Sequence, residues 1–166
     1  MKIFSYMTIT QTIIFVNTLS FAETVHNVLR KNGYKSYIMF SKMEKEERDE
    51  TMQKFRENVI NVLITTNILA RGFDHLEVDF VVNFDVPKQK IGGQWVADDE
   101  TYLHRIGRAG RFNQRGLALT LYDNDDDKKC FNEILDQLKI KDKIHTLKGP
   151  EEVGEILKRI TSQEGV

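Results

Sequence analysis

The sequence predicts an α/β domain with a mainly parallel sheet and helices on both faces. Two observations predict it. Short β-branched runs alternate along the chain with stretches whose apolar residues recur at helical spacing. The 166 residues, 40% hydrophobic and 30% charged, suit one soluble globular domain with a sizeable core and are too few for two ordinary ones.

The elements follow in order. TIIFV (12–16) reads as a buried strand. The stretch 20–31 is a helix with Phe21, Val25, Val28 and Leu29 at helical spacing, closed by Asn32-Gly33. YIMF (37–40) is the second strand. Residues 45–57 form a charged helix whose Met52 and Phe55 make a narrow buried stripe; most of its charges read as a solvated face laced with i,i+4 pairs, with Arg48 set apart as a backbone contact. VLITT (62–66) and FVVNF (80–84) are strands flanking a loop-rich stretch, and 117–122 is a fifth. Residues 126–138 form a helix opened by an acidic cap, and Gly149-Pro150-Glu151-Glu152 starts a last one. About five or six strands are expected.

Composition excludes several classes. The net charge of −1 means that any nucleic-acid contact must come from a local patch. The lone Cys130 cannot form an internal disulfide and fits a reducing interior. The longest apolar runs are too short to cross a bilayer, and 1–7 has no signal-peptide core. DNDDD (123–127) suggests a metal site, but no His or Glu recurs at ligand spacing, so the acids read as helix capping and no metal ligand is expected.

In parallel sheets ligands sit beyond the carboxyl ends of the strands. That directs attention to Asn17-Thr18, which suit either a helix cap or a phosphate contact, and both roles can hold together. LITTNILARGFD (63–74) places Thr65 and Thr66 at a strand end, then Gly72 for close backbone approach and Asp74 as a carboxylate, the order a phosphate- or ribose-binding loop needs. TYLHRIGRAGRF (101–112) spaces Arg105, Arg108 and Arg111 three apart, beside His104 and between glycines. On a helix or tight helical turn these would share a broad face. Like charges that close repel, whereas the planar guanidinium fork matches phosphate oxygens, so the arginines await an anion. Arg105 is the one expected to be neutralised internally by a carboxylate.

IIFVNT (13–18), LITTNILARGFD (63–74), VDFVVNFDVP (78–87) and YLHRIGRAGRF (102–112), in this order, resemble the C-terminal RecA-like domain of DEAD-box RNA helicases. The resemblance spans residues 2–138. It is greatest to the subgroup that remodels mRNA at the nuclear pore during export, which shares ETYLHRIGR after a long loop and Asn67 where many relatives have Asp. It implies ATP hydrolysis with Mg2+, both bound mainly by an N-terminal RecA-like domain. By resemblance Arg108 and Arg111 contact the β/γ-phosphates, one as an arginine finger; Gly72 and Asp74 lie by the ribose and phosphates; and His104 links to the acidic box of the other domain. Asn17, Thr18, Arg48, Thr65 and Thr66 fall on the RNA side. The implied partners are RNA, the N-terminal domain and helicase-activating regulators, for a monomer without membrane contact in cytoplasm and nucleus, the nuclear pore included.

Three departures fall on the RNA side: Ser41 stands where a glycine is usual, Lys45 where the family's Gln-x-x-Arg element has glutamine, and Leu19-Ser20 where a basic residue often follows Thr18. No G-x-x-x-x-G-K-[ST] and no Asp-Glu-Ala-Asp occur, so residues 1–166 read as a helicase C-terminal domain truncated at its N-terminus, with the N-terminal RecA-like domain absent. A non-catalytic module binding RNA or a regulator is the alternative. The loop 88–99, with Gly92-Gly93 and the only tryptophan, Trp95, is expected to be mobile, to lie beside the arginine motif and to offer a partner surface.

Overall fold

The central strand β1 (Thr12–Phe15) is buried at every position, as a β-branched run sealed on both faces should be. A computed structural model, which describes residues 11–66, 77–110, 116–149, 151–153, 155 and 156, places it between two other buried strands. With α1 (Leu19–Lys31), β2 (Ser36–Met39), α2 (Lys45–Arg56), β3 (Val62–Thr65), β4 (Phe80–Asn83) and β7 (Leu117–Thr120), it builds a five-stranded sheet of order β2-β3-β1-β4-β7. All four pairings are parallel. Between β4 and β7 come β5 (Lys88–Ile91), β6 (Gln94–Ala97) and α3 (Asp99–Ile106); α4 (Asp125–Leu138) and a 3₁₀ turn (Lys141–Lys143) follow.

The two faces of the sheet are read directly from alternation along β1. Ile13 and Phe15 join Met39, Leu63 and Val81 with Met52 and Phe55 of α2 in one cluster. Ile14 joins Ile64, Phe80 and Val82 with Ala22, Val25 and Leu29 of α1 in another. Successive side chains of a strand point to opposite faces, so one strand serves two cores. A third cluster ties α3 to α4 through Tyr102, Phe131, Ile134 and Leu135, with Val86 and Ala97 contributed by the chain between β4 and α3.

Local signals explain the helix limits. Thr18 caps α1, its hydroxyl accepting from the Phe21 N–H at 3.3 Å. At the other end Gly33 N–H donates to the Arg30 carbonyl and Tyr34 N–H to that of Leu29, a Schellman closure. Asn58, with φ 57°, closes α2 in the same way through Val59 N–H to the Lys54 carbonyl. Asn124 caps α4, accepting from Asp127 N–H at 2.7 Å, while Asp125, Asp126 and Asp127 occupy its first turn at the positive dipole end. The cap is thus the asparagine of DNDDD, and the three acids after it lie within the helix.

The segment 88–99 departs from expectation in form. Residues 88–97 are an antiparallel hairpin and not an irregular loop. Gly92 and Gly93 occupy its two-residue turn with φ of 57° and 86°, positive at both central positions as a type I′ turn requires. The hairpin packs on α4, where Lys88 is paired with Asp127.

Candidate functional site

All five strands run in one direction, so the segments after β1, β2, β3 and β4 emerge along one edge of the sheet. Asn17 and Thr18 follow β1 there, Thr65 and Thr66 end β3 and follow it, and Arg48 sits in the first turn of α2, after β2. The structure therefore gathers the RNA-side candidates at one edge, but it does not leave all of them open. Thr65 is 0% exposed and its hydroxyl donates to the Thr66 carbonyl at 2.9 Å. Thr66 beside it keeps part of its surface. Arg48 is half-buried, and its Nε has no hydrogen-bond partner. Ser41 and Lys45 are both exposed near it.

Asn17 does more than cap or face solvent. Its backbone N–H donates to Asp85 Oδ2 at 2.7 Å and its Nδ2 to the Val86 carbonyl at 3.1 Å, while its Oδ1 accepts from the Arg105 guanidinium at 3.1 Å. Arg105 also donates to the Asp85 carbonyl at 3.1 Å and lies 3.7 Å from the Asp85 carboxylate. Its guanidinium stands 5.2 Å from the centre of the Phe15 ring. The residue is 0% exposed, and burial pulls its pKa down to about 10, still far above neutrality. Burial likewise pushes the Asp85 carboxyl above the usual carboxylate range, against the Asn17 N–H and the Arg105 charge. Charged partners sealed together hold one another in place because each would be costly alone. Asp85 answers the expectation that Arg105 would find an internal carboxylate. It escaped notice as a partner because it is 20 residues from Arg105 in sequence.

The arginine motif divides at the end of α3. Asp98 caps that helix, accepting from Thr101 N–H at 2.9 Å, and the helix ends at Ile106. Two tight turns carry the chain on through Arg108 N–H to the Arg105 carbonyl and Ala109 N–H to the Ile106 carbonyl. Arg105 points inward, whereas Arg108 is half-buried. The Arg108 carbonyl accepts from Val78 N–H and Gly110 N–H donates to the Val78 carbonyl, both at 2.9 Å. Val78 lies two residues ahead of β4, so Arg108 sits at the opposite end of that strand from Asn17. Gly110 and Gly116 have a structural cause as well. Gly110 has φ 112°, and a Cβ on Gly116 would lie 2.1 Å from the Gly110 nitrogen, so side chains are excluded at this crossing. His104 is half-buried, its Nδ1 closed off from solvent without a hydrogen-bond partner. Gly72, Asp74 and Arg111 lie outside the described residues. Among the described residues no cluster of His, Cys, Asp and Glu is placed to hold a metal ion.

Residues 1–113 match a family model described as the helicase conserved C-terminal domain. The chain is 41% identical over 133 residues to the ATP-dependent RNA helicase DDX19A of Bos taurus, covering 80% of this chain and 27% of that protein. It thus spans about a quarter of the relative's length. Its fold is similar to the C-terminal domain of the DEAD-box protein Dbp5, with a TM-score of 0.81 and 34% identity over 95% of this chain and 87% of that one. A structure of Saccharomyces cerevisiae Dbp5 bound to RNA and ADP BeF3 is similar at a TM-score of 0.79 and 34% identity, over 96% of this chain and 40% of that one.

Proposed function

This chain belongs to the helicase C-terminal domain family, and from that premise we propose that it acts as the second RecA-like domain of an ATP-dependent RNA helicase of the Dbp5 and DDX19 kind. In this reading it closes on an N-terminal RecA-like domain across a cleft. ATP binds on one side of that cleft and RNA tracks over both domains. Turnover then remodels RNA or RNA–protein complexes, in mRNA export at the nuclear pore and its cytoplasmic and nuclear surroundings. Helicase-activating regulators are the further partners this role implies.

One observation carries the reading: Arg105 is locked inside the fold by Asp85 and Asn17, while Arg108, three residues on, is delivered past the end of the helix and kept partly open. A fold needs the first arginine; the second keeps part of its surface, which suits contact with an anion outside the fold. The fork of Arg108, with Arg111, suits the oxygens of a triphosphate presented by the other domain, where charge spreads over the transferring phosphoryl group. Gly72 and Asp74 are assigned to the ribose and phosphates by the motif they share. His104, half-buried in the last turn of α3, is assigned the link to the acidic box of the other domain by the motif it shares. By the resemblance, the N-terminal domain would hold magnesium with the phosphates.

On the RNA edge, Thr66, Thr18 and Arg48 offer a hydroxyl, a strand-end backbone and a guanidinium to phosphates and 2′-hydroxyls. Contacts of that kind read shape and not sequence. Thr65 supports this edge from beneath, and Asn17 shares its polar atoms with the interior network. The test is RNA-stimulated ATP hydrolysis by a protein joining this chain to its N-terminal domain. Arg111→Ala and Arg108→Lys should abolish most turnover while ATP binding and the thermal midpoint hold. Normal turnover, or loss of activity only through unfolding, would make the arginines structural and end this reading.

A further inference from the structure

The hairpin β5–β6 has no role in the reading above. Its ten residues carry Lys88 and Lys90 and no acid, in a chain of net charge −1. The register sets Lys90 opposite Trp95 and Lys88 opposite Ala97, and directly opposed residues share a face, so both lysines and the indole lie on the same side of the ribbon. Trp95 is 68% exposed there. A tryptophan that open to water contributes little to packing, and a two-residue Gly-Gly turn holds it on an ordered ribbon.

This face of the hairpin looks into a groove of about 760 Å³ that reaches from Trp95 to Asn17 and Thr18 at the end of β1, with Asp126, Lys129 and Glu133 of α4 along it. Charge within the groove is disposed unevenly. Lys88 is committed to Asp127, and Lys129 stands with both Asp126 and Glu133, so the floor has no surplus positive charge to hold a phosphate. Lys90, fully on the surface beside Trp95, forms no ion pair with a described residue. The groove thus suits an uncharged planar ring, and the cation for an adjoining phosphate stands on the ribbon.

We infer that the hairpin is a stacking platform for single-stranded RNA. An unpaired base stacks on Trp95 at the mouth of the groove, and Lys90 neutralises the adjoining phosphate. The inference rests on the RNA-binding reading proposed above and extends its path past the strand-end residues. Base–aromatic stacking with a cation beside it holds an unpaired base without reading sequence. A protein partner is the competing occupant. The acid-free ribbon and its continuity with the RNA edge favour the polyanion.

Because Trp95 is the chain's only tryptophan, its emission reports on the platform directly. The experiment titrates the 166-residue chain with a ten-nucleotide oligoadenylate at low salt, following indole emission, and repeats the titration by anisotropy with labelled RNA for Trp95→Ala, Trp95→Phe, Lys90→Gln and Arg48→Ala. Saturable quenching is expected. Trp95→Ala should weaken binding by about 5- to 150-fold, the range of single base–aromatic stacks, with Trp95→Phe retaining most of the affinity. Lys90→Gln should flatten the slope of log K against log salt by about 0.7, one phosphate's worth on a single strand. Thermal midpoints should be unchanged, since both side chains are exposed. If RNA binds and Arg48→Ala weakens it while Trp95 emission and Trp95→Ala affinity stay as in the parent, the platform is refuted and the RNA edge stands; the exposed indole then belongs to a protein contact. If the chain binds no single-stranded RNA up to millimolar concentration, the platform is refuted, whereas the two-domain reading stands or falls on RNA-stimulated turnover of the joined protein.

Discussion

Arg105→Met separates the two kinds of arginine in this motif. Methionine keeps much of the length and apolar contact of the stem against Phe15, so the cavity left is small. What disappears is the guanidinium, with its 3.1 Å hydrogen bonds to the Asp85 carbonyl and Asn17 Oδ1 and its charge 3.7 Å from the Asp85 carboxylate. Asp85 then keeps only the Asn17 N–H on a side chain 22% exposed. Removing one partner of a buried pair costs about 3–5 kcal/mol, and the partial exposure of Asp85 puts this case near the lower end. At roughly 2–4 °C per kcal/mol for a chain of this size, a loss of about 3 kcal/mol lowers the midpoint by about 6–12 °C. Urea unfolding at pH 7 followed by circular dichroism measures it. The double variant Arg105→Met with Asp85→Asn should recover part of the loss, because the stranded carboxylate is gone. Arg108→Met should cost under about 1 kcal/mol. A loss below about 1 kcal/mol for Arg105→Met, or a double variant no more stable than the single, would refute the buried-network account of Arg105.

Three further outcomes are expected. In the joined two-domain protein, Arg111→Ala should cut RNA-stimulated hydrolysis by roughly 10³-fold or more, the scale of an arginine finger, as read from steady-state turnover. The 166-residue chain with RNA and Mg-ATP should match a buffer blank, because it contains no phosphate-cradling P-loop and no acidic box; turnover that survives removal of contaminating ATPases would contradict this. His26 makes stability pH-dependent: burial, and then Arg30, lower its pKa below 6.5 while Nδ1 faces Ser36 Oγ at 2.9 Å. The unfolded chain takes up the proton first on acidification, so this contribution is present above about 6.5 and is lost as pH falls through the lower folded value. The midpoint of the parent relative to His26→Gln should therefore drop between pH 7.5 and 5.5, and a flat or rising difference would show that the ring is not held neutral.

Much of this architecture was legible along the chain. Runs buried on both faces, such as 62–65, announced parallel strands, and Asn32-Gly33 announced the end of α1, because period and cap chemistry are set by neighbours a few residues apart. The Gly92-Gly93 dipeptide carried a hairpin signal as well, but the flanking KQKI and QWVA alternate too weakly to separate a ribbon from a loop. The arginine spacing pointed to an anion, and a carboxylate was expected for Arg105. Spacing alone did not single out Asp85 as that carboxylate, nor reveal that Asn17, 88 residues from Arg105, would be drawn into the same network. Those outcomes depend on strand order. Placing β1 between β3 and β4 sets the end of β1 beside the segment after β4, and α3 packs back across both. The burial of Thr65 under Thr66, and the groove joining Trp95 to Thr18, are of the same kind. A local pattern records what a residue prefers, whereas its partners across the sheet are chosen only when the whole core closes and each buried charge must find its counterpart.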